Sequence, residues 1–146
     1  MIFRHRAFLS KVDHDALVRA LAAAEAATSG RIRLFVTRKR VSDPVAAAEK
    51  RFHRLGMAAH PEQNEILLYV APISRKFAVL GDTAIHEKVG DTAWEEISAA
   101  LAVHFRAGQF TEGLLNAITR AGALLALHFP AAPDQKAAAP DEIEGD

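Results

Sequence analysis

Residues 64–82 constrain the fold of this chain more than any other stretch. Two apolar runs, 66–71 and 77–80, flank a short turn, and the second run stops at Gly81-Asp82. This pattern predicts a β-hairpin whose exit carries a carboxylate. Ligands of open α/β sheets commonly bind just outside strand ends, so the carboxylate is a candidate site residue. A core hairpin that ends in an ordinary Gly-Asp turn explains the same residues.

The rest of the chain predicts helices before, between and after the strands. Period-two alternation of Ile32, Leu34 and Val36 indicates a strand, and Asp43-Pro44 is typical of a helix start. Gly30 is expected to end the first helix in the left-handed conformation. The predicted elements are a helix over 11–28, a strand over 31–37, a helix over 44–57, strands over 66–71 and 77–80, one helical turn near 84–88, a helix from Asp91 or Thr92 to Arg106, and a helix over 111–127.

The order α-β-α-β-β-α-α predicts an α/β fold, a single-domain sandwich in which a small mixed β-sheet is flanked by helices. The strand over 31–37 is followed by a helix and then a strand, so those two strands are expected to be parallel with a right-handed crossover. The hairpin strands are antiparallel. The domain is expected to cover residues 1–130. Residues 131–146 are rich in alanine, proline and acids, which predicts a disordered acidic tail.

Composition excludes several classes of function. The 146-residue chain has no cysteine, which excludes disulfides, thiolate metal sites and cysteine nucleophiles. The formal net charge is zero, but residues 131–146 carry five acids and one lysine, which leaves a net +4 on the body. That charge is too mild for nucleic-acid binding. The N-terminal residues do not resemble a secretory signal, and no apolar stretch reaches the length of about 18 residues that a membrane span needs. We therefore expect a cytoplasmic protein that does not itself span a membrane.

Acidic and amide side chains near the hairpin are the main site candidates. Asp82 follows the second hairpin strand, Glu87 comes soon after, Asn64 precedes the first hairpin strand, and Glu25 lies near the end of the first helix. Calcium and magnesium take such oxygen ligands from loops. Capping and turn roles explain each side chain separately, and the residues alone favour those roles. The basic stretch 38–40 is compatible with an anionic lipid or a phosphorylated partner, although a solvated loop is the simpler interpretation.

Several blocks of the sequence, in this order and spacing, are similar to a known family. They are residues 24–33, 52–57, 64–71, 75–82, 85–89, Trp94, 104–113 and 128–130. With them the chain resembles the TPM domain family over about residues 10 to 130. The family is named for a thylakoid lumen phosphatase, a photosystem II repair protein and a worm modulator of acetylcholine receptors. The resemblance is to its short bacterial members without signal peptides.

The resemblance implies an α/β sandwich with a divalent-cation site in an acidic cleft near the strand ends. By position, Asp82 and Glu87 match the acidic turn of the family, Asn64 matches the residue at the entry to the second strand, and Glu25 matches a recurrent glutamate of the first helix. Some members are described as acid phosphatases. Others look like binding or assembly factors for membrane complexes.

Three positions depart from the family pattern. Arg31 stands where a glutamate is usual, and its charge would lower the affinity of a nearby cation site. Ala84 replaces the second glycine of Gly-Asp-x-Gly, which predicts a reshaped or strained turn. Glu65 replaces the glycine after Asn64 and would restore a carboxylate if it points into the cleft.

Three functional hypotheses follow. The first is a soluble, non-enzymatic TPM-type binding or scaffolding domain with a weak calcium or magnesium site. The second is a metal-assisted acid phosphatase that acts on phosphomonoesters, in which Asp82 holds the metal or acts as a base. The third is a metal-free protein-interaction module with an apolar patch around Phe35 or Phe110. The expected partner is an unidentified protein, for which a membrane complex is one candidate, and not a nucleic acid.

Overall fold

A computed structural model of the protein describes residues 5–135 and 141–146. It has a mixed α/β fold with one four-stranded sheet, which confirms the predicted fold class. The elements are α1 (His5–Ser10), α2 (His14–Ala26), β1 (Arg31–Val36), α3 (Pro44–Arg54), β2 (Glu65–Ala71), β3 (Lys76–Gly81), α4 (Thr83–Arg106), α5 (Phe110–His128) and β4 (Ile143–Gly145), with a short 3₁₀ turn at Met57–Ala59.

The sheet has the strand order β3-β2-β1-β4. Strands β1 and β2 are parallel, with Leu34 opposite Leu68, and the β2–β3 hairpin is antiparallel. Strand β4 adds to the outer edge of β1 in parallel orientation. The predicted parallel pair and the antiparallel hairpin are therefore confirmed, and the starts of β1 and β2 lie at the same edge as the end of β3.

Side-chain alternation along β1 and β2 builds a core on each face of the sheet. Every residue of β2 is buried, as expected for a strand covered on both faces. One core lies against α2, α4 and α5. It includes Ile32, Leu34, Val36, Ile66, Leu68, Val70, Leu21, Leu101 and Ile118. The other lies against α3 and includes Phe35, Leu67, Tyr69, Ala71 and Phe52.

The helix starts follow capping chemistry. Asp13 and Asp43 accept hydrogen bonds from the backbone N–H groups of Ala16 and Ala46 at the starts of α2 and α3. Helix α4 is interrupted at Gly90, whose φ of 75° and ψ of 175° are not helical. The helical turn predicted near residues 84–88 therefore lies before this break, and the helix predicted from Asp91 or Thr92 lies after it. Helix α1 was not predicted.

The structure also differs from the sequence analysis near β1. Gly30 was expected to have a positive φ, but the glycines with positive φ in the described ranges are Gly56, Gly90 and Gly108. Phe35, expected at an exposed patch, is 2 % exposed because it stacks on Tyr69. None of the helices in the described ranges is long and apolar enough to cross a membrane.

Strand β4 lies in the part of the chain that was expected to be a disordered tail. The expectation rests on the low apolar content of residues 131–146. Residues 143–145 nevertheless form a strand, because their backbone pairs with Leu34 to Val36 of β1 and because Glu144 and Asp146 form ion pairs with arginines of the body. The placement of the domain boundary at residue 130 stays a prediction.

Gly30 is required by a close approach and not by its backbone angles. A Cβ atom at this position would lie 2.6 Å from the backbone oxygen of Asn64 and 2.9 Å from Cδ2 of Leu125. Real Cβ contacts of that length do not occur without displacement of the neighbours. A side chain here would separate the starts of β1 and β2.

We expect Gly30→Ala to lower the free energy of unfolding by about 1–3 kcal/mol, the usual cost of overpacking a tight contact. Chemical denaturation followed by circular dichroism measures the change. Ala22→Ser adds one heavy atom at an exposed position of α2 and is expected to change stability by less than about 0.5 kcal/mol. Equal stability of the two variants would contradict the conclusion that Gly30 is required by close packing.

Candidate cation site at the strand ends

Five polar side chains meet where β1 and β2 begin and β3 ends, and we call them the strand-end cluster: Glu25, Arg31, Asn64, Glu65 and Asp82. Arg31 and Glu65 are opposite each other in the β1–β2 register. The backbone N–H of Asp82 donates to the carbonyl of Glu65 at 2.9 Å. Arg31 Nε lies 3.3 Å from Glu25 Oε1. The fold thus brings Glu25, Asn64 and Asp82 to the same edge of the sheet.

Asp82 is held by the start of α4. Its Oδ1 accepts a hydrogen bond from the backbone N–H of Thr83 at 2.7 Å, as a helix cap does. The carbonyl of Gln63 accepts from Ala84 N at 3.0 Å and fixes the same turn against the entry to β2. Asp82 Oδ2 is buried and accepts no hydrogen bond from the described residues. One oxygen of this carboxylate therefore builds the helix, and the other is free for a ligand.

Asn64 is fully buried, and its orientation is set by its amide nitrogen. Nδ2 donates to Ser29 Oγ at 3.1 Å and to Glu62 Oε2 at 3.0 Å. Ser29 in turn donates to Glu62 at 2.6 Å, so the three side chains form a closed network. Asn64 Oδ1 is left without a donor in the described part of the chain. A buried amide oxygen of this kind is costly unless something binds it.

Glu25 lies in the last turn of α2 and is 5 % exposed. Burial, together with hydrogen bonding to and charge repulsion from the neighbouring carboxyl of Asp141, raises its pKa to about 8. Arg31 and a hydrogen bond from the backbone of Ile32 act in the opposite direction. The side chain is therefore largely protonated at neutral pH and can donate to Asp141.

The other two members of the cluster limit a cation site. Arg31 is one-third exposed and points its Nε toward Glu25, although this atom makes no hydrogen bond with the described residues. Strand alternation places Glu65 on the same face of the sheet as its partner Arg31. Burial raises the pKa of Glu65, His60, Arg33 and Arg31 lower it, and the charge of Asp82 raises it. Glu65 therefore lies within electrostatic reach of Asp82, and its raised pKa makes it a poor replacement for the missing family glutamate.

Ala84 and Glu87 both differ in the structure from what the family pattern implies. Ala84 lies in the first turn of α4, and the positive-φ residues other than glycine in the described ranges are Gln63 and Arg75. The expected strain at Ala84 is therefore absent, because its backbone angles are helical. Glu87 is exposed on α4, and no hydrogen bond or ion pair joins it to the cluster in the described residues.

The chemistry of the cluster is that of hard-cation ligands. Two buried oxygens, Oδ1 of Asn64 and Oδ2 of Asp82, lack a hydrogen bond within residues 5–135 and 141–146, and the buried carboxyl of Glu25 faces Arg31 and Asp141. Buried polar atoms in native proteins are nearly always paired, so their concentration at one edge needs a physical reason. No group of three or more histidine, aspartate and glutamate side chains in these ranges is placed to hold a metal ion. An amide or backbone oxygen would have to complete the coordination.

Comparison with known proteins identifies the family. A sequence profile of the TPM domain matches residues 2–124. The NMR structure of the BA42 protein from the psychrophilic bacterium Bizionia argentinensis is 34% identical, with a TM-score of 0.82 over 91% of this chain and 92% of that one. The chain therefore belongs to the TPM domain family.

A second solved structure is similar to this chain in fold alone. The solution NMR structure of an N-terminal domain of a protein from P. gingivalis is 19% identical, with a TM-score of 0.57 over 80% of this chain and 75% of that one. No curated protein matches the chain.

Sequence reasoning missed two neighbours of the cluster. Asp141 affects Glu25 from more than a hundred positions away, and no spacing or motif in the sequence links them. Glu62 orients Asn64 through Ser29, and its position two residues before Asn64 gives no hint of that role. Both depend on the path of the backbone outside the predicted elements.

Glu25 gives the protein a specific pH dependence. Because its folded pKa of about 8 lies above its ordinary value of 4.5, the folded state binds one more proton between these limits. This contribution to stability is complete below pH 4.5 and is lost as the pH rises through 8. Between pH 5 and 8.5, wild type should lose stability relative to Glu25→Gln, by on the order of a few kcal/mol.

Denaturation midpoints of the two proteins across this range measure the difference. Glu65, whose pKa is also raised, is present in both proteins, so its contribution cancels. Asp141→Asn removes the carboxyl neighbour and should shift the transition of Glu25 to lower pH. A stability difference that does not change with pH would show that Glu25 is ionised in the folded protein throughout.

Proposed function

We propose that this TPM domain is a non-enzymatic binding domain that holds a divalent cation, calcium or magnesium, weakly in the strand-end cluster. Asp82 Oδ2 and Asn64 Oδ1 would supply the first ligands, and Glu25 would supply a third after losing its proton. The observation that carries the proposal is that Asp82 Oδ2 and Asn64 Oδ1, two buried oxygens without a hydrogen bond among the described residues, lie at the adjoining ends of β3 and β2. Oxygen atoms of this kind suit hard cations.

The fit of the residues to a cation is incomplete, which is the reason for proposing weak affinity. Two of the three carboxyl groups of the cluster have a raised pKa, that of Glu25 to about 8 and that of Glu65 through burial. Arg31 brings a positive charge within 3.3 Å of Glu25 Oε1. Each of these features opposes a cation at neutral pH. Glu87, although part of the family pattern, is exposed and has no supporting contact in the described residues.

Asp82→Asn tests the proposal directly, because asparagine keeps the helix cap but removes the charge. In wild type, calcium or magnesium should shift the amide resonances of Asn64, Asp82 and Thr83 and saturate on the order of millimolar ion. In Asp82→Asn these shifts should be lost. Glu87→Gln is the matched control and should titrate as wild type. Shifts that persist in Asp82→Asn, or that disappear in Glu87→Gln, would contradict this ligand set.

A gain of affinity is expected when the opposing charge is removed. Arg31→Gln should tighten calcium binding by about tenfold or more, since one unit charge at this separation contributes over about 1.4 kcal/mol in a partly buried site. Arg19→Gln removes the same charge from an exposed position of α2 and should change the affinity little. The dissociation constants come from the same NMR titration. Equal affinities for the two variants would mean that Arg31 does not face the ion.

The same variants separate the two alternatives. Turnover of a generic phosphomonoester with calcium, magnesium or manganese that is lost in Asp82→Asn would favour the metal-assisted phosphatase, in which the cation polarises a phosphoryl oxygen. No shifts with either ion in wild type or in Arg31→Gln would favour the metal-free interaction module.

A further inference from the structure

The acidic segment, residues 141–146 with the sequence Asp-Glu-Ile-Glu-Gly-Asp, lies along the outer edge of β1. We propose that this edge is a binding site for an extended acidic peptide of a partner protein, and that the acidic segment occupies it within the same chain. The recognised pattern is apolar–acid–Gly–acid, as in residues 143–146. The proposal rests on the contacts of Glu144, Gly145 and Asp146, whereas Asp141, at the start of the same segment, lies beside Glu25 of the cation site and is not part of the recognised pattern.

Backbone pairing supplies the first element of recognition. Residues 34–36 of β1 pair in parallel with residues 143–145, and β4 has no other strand neighbour in the sheet. An unpaired strand edge is a general template for the addition of a peptide strand, because its N–H and C=O groups face outward. A three-residue strand is short enough to be exchanged without loss of the sheet.

Arg33 recognises the first acid. Its Nε donates to Glu144 Oε2 at 2.8 Å, and its Nη2 donates to Glu144 Oε1, which is the two-pronged arrangement that suits a carboxylate. The third nitrogen, Nη1, donates to the carbonyl of Leu55 at 3.1 Å and so holds the guanidinium in place from the protein side. The Glu144 carboxylate raises the pKa of Arg33 through this contact.

Asp146 occupies a built carboxylate site at the end of β1. Its Oδ2 accepts from the hydroxyl of Thr37 at 2.8 Å and lies 3.4 Å from Arg51 Nη2, and its Oδ1 accepts from Arg38 N at 3.1 Å. Thr37 is fully buried, and Arg51 lies 4.3 Å from the centroid of the Phe35 ring, so both donors are preorganised. Burial alone would raise the pKa of Asp146, but these donors and charges lower it below its ordinary value.

Gly145 and Ile143 make the edge selective through space and apolar packing, in addition to the charge contacts. A Cβ at Gly145 would lie 3.0 Å from the carbonyl oxygen of Val36, so a side chain there would push the strand off the edge. Ile143 packs against the main core, beside a cavity of about 200 Å³ lined by Leu9, Val12 and His14. The edge therefore distinguishes an apolar–acid–Gly–acid peptide from an arbitrary acidic one.

The covalent link makes the acidic segment a strong competitor. A tethered ligand acts at an effective concentration that reaches millimolar for short linkers, so a partner peptide must displace it. Wild type should bind a free peptide weakly, and a chain whose own segment is repelled from the edge should bind it well. Charge reversal of the two recognised acids provides such a chain without shortening the protein.

The test uses a fluorescein-labelled, C-terminally amidated peptide of residues 141–146 and fluorescence anisotropy. The full-length Glu144→Lys/Asp146→Lys chain should bind this peptide at least tenfold more tightly than wild type. Adding Arg33→Gln should weaken binding at least tenfold, and adding the exposed control Arg120→Gln should not change it. A peptide with valine in place of its glycine should also bind at least tenfold more weakly.

Equal affinity of wild type and the charge-reversed chain, or no loss with Arg33→Gln, would overturn the proposal. If the charge-reversed chain does not fold, the milder full-length Glu144→Gln/Asp146→Asn chain replaces it in the same anisotropy assay and should also bind the peptide more tightly than wild type, and equal affinity would overturn the proposal. A concentration-dependent dimer of wild type that excludes the peptide would assign the edge to the segment of a second copy and overturn the partner assignment.

Discussion

The parallel pairing of β1 with β2 is the contact on which the rest of the structure depends. It places two apolar strands at the centre of the sheet, where both faces are covered by helices and the residues of β2 are buried without exception. The pairing requires Gly30 at the entry, because any Cβ would meet the backbone of Asn64. The same close approach brings Asn64 and Arg31 to one edge of the sheet. Core packing and the candidate site thus have a common origin.

Much of the fold could be predicted from periodicity and caps. Alternation along residues 31–37 and the hairpin over 64–82 indicated the central strands, and Asp43-Pro44 marked the start of α3. Strand β4 could not be predicted in this way, since Ile143–Gly145 has almost no apolar pattern and is ordered by pairing and by arginines distant in sequence. Tertiary contacts of this kind override local propensity.

The resemblance grouped Asp82, Glu87, Asn64 and Glu25 as candidate ligands, and whether they form a cation site stays a prediction. In the structure, Asp82 and Asn64 lie at the adjoining ends of β3 and β2, Glu25 contacts Arg31 at the start of β1, and Glu87 is exposed on α4. The ionisation of Glu25 could not be read from the sequence, because it depends on burial and on Asp141. The edge of the sheet at which the cluster lies also differs from the one at which open parallel sheets usually bind ligands. In open parallel sheets ligands lie at the carboxyl ends of strands, whereas this cluster lies at the starts of β1 and β2 and reaches a carboxyl end only through β3.

The attachment of the acidic segment to β1 has a consequence for how the whole molecule presents its charge. The formal net charge is zero, yet Glu144 and Asp146 of the segment are paired with Arg33 and Arg51 of the body. Detachment would alter neither the composition nor the formal net charge. It would expose guanidinium groups on one side and carboxylates on the other, and create a large electric dipole moment. Adsorption to an ion-exchange surface would then depend on the position of six residues and not on the net charge of the protein.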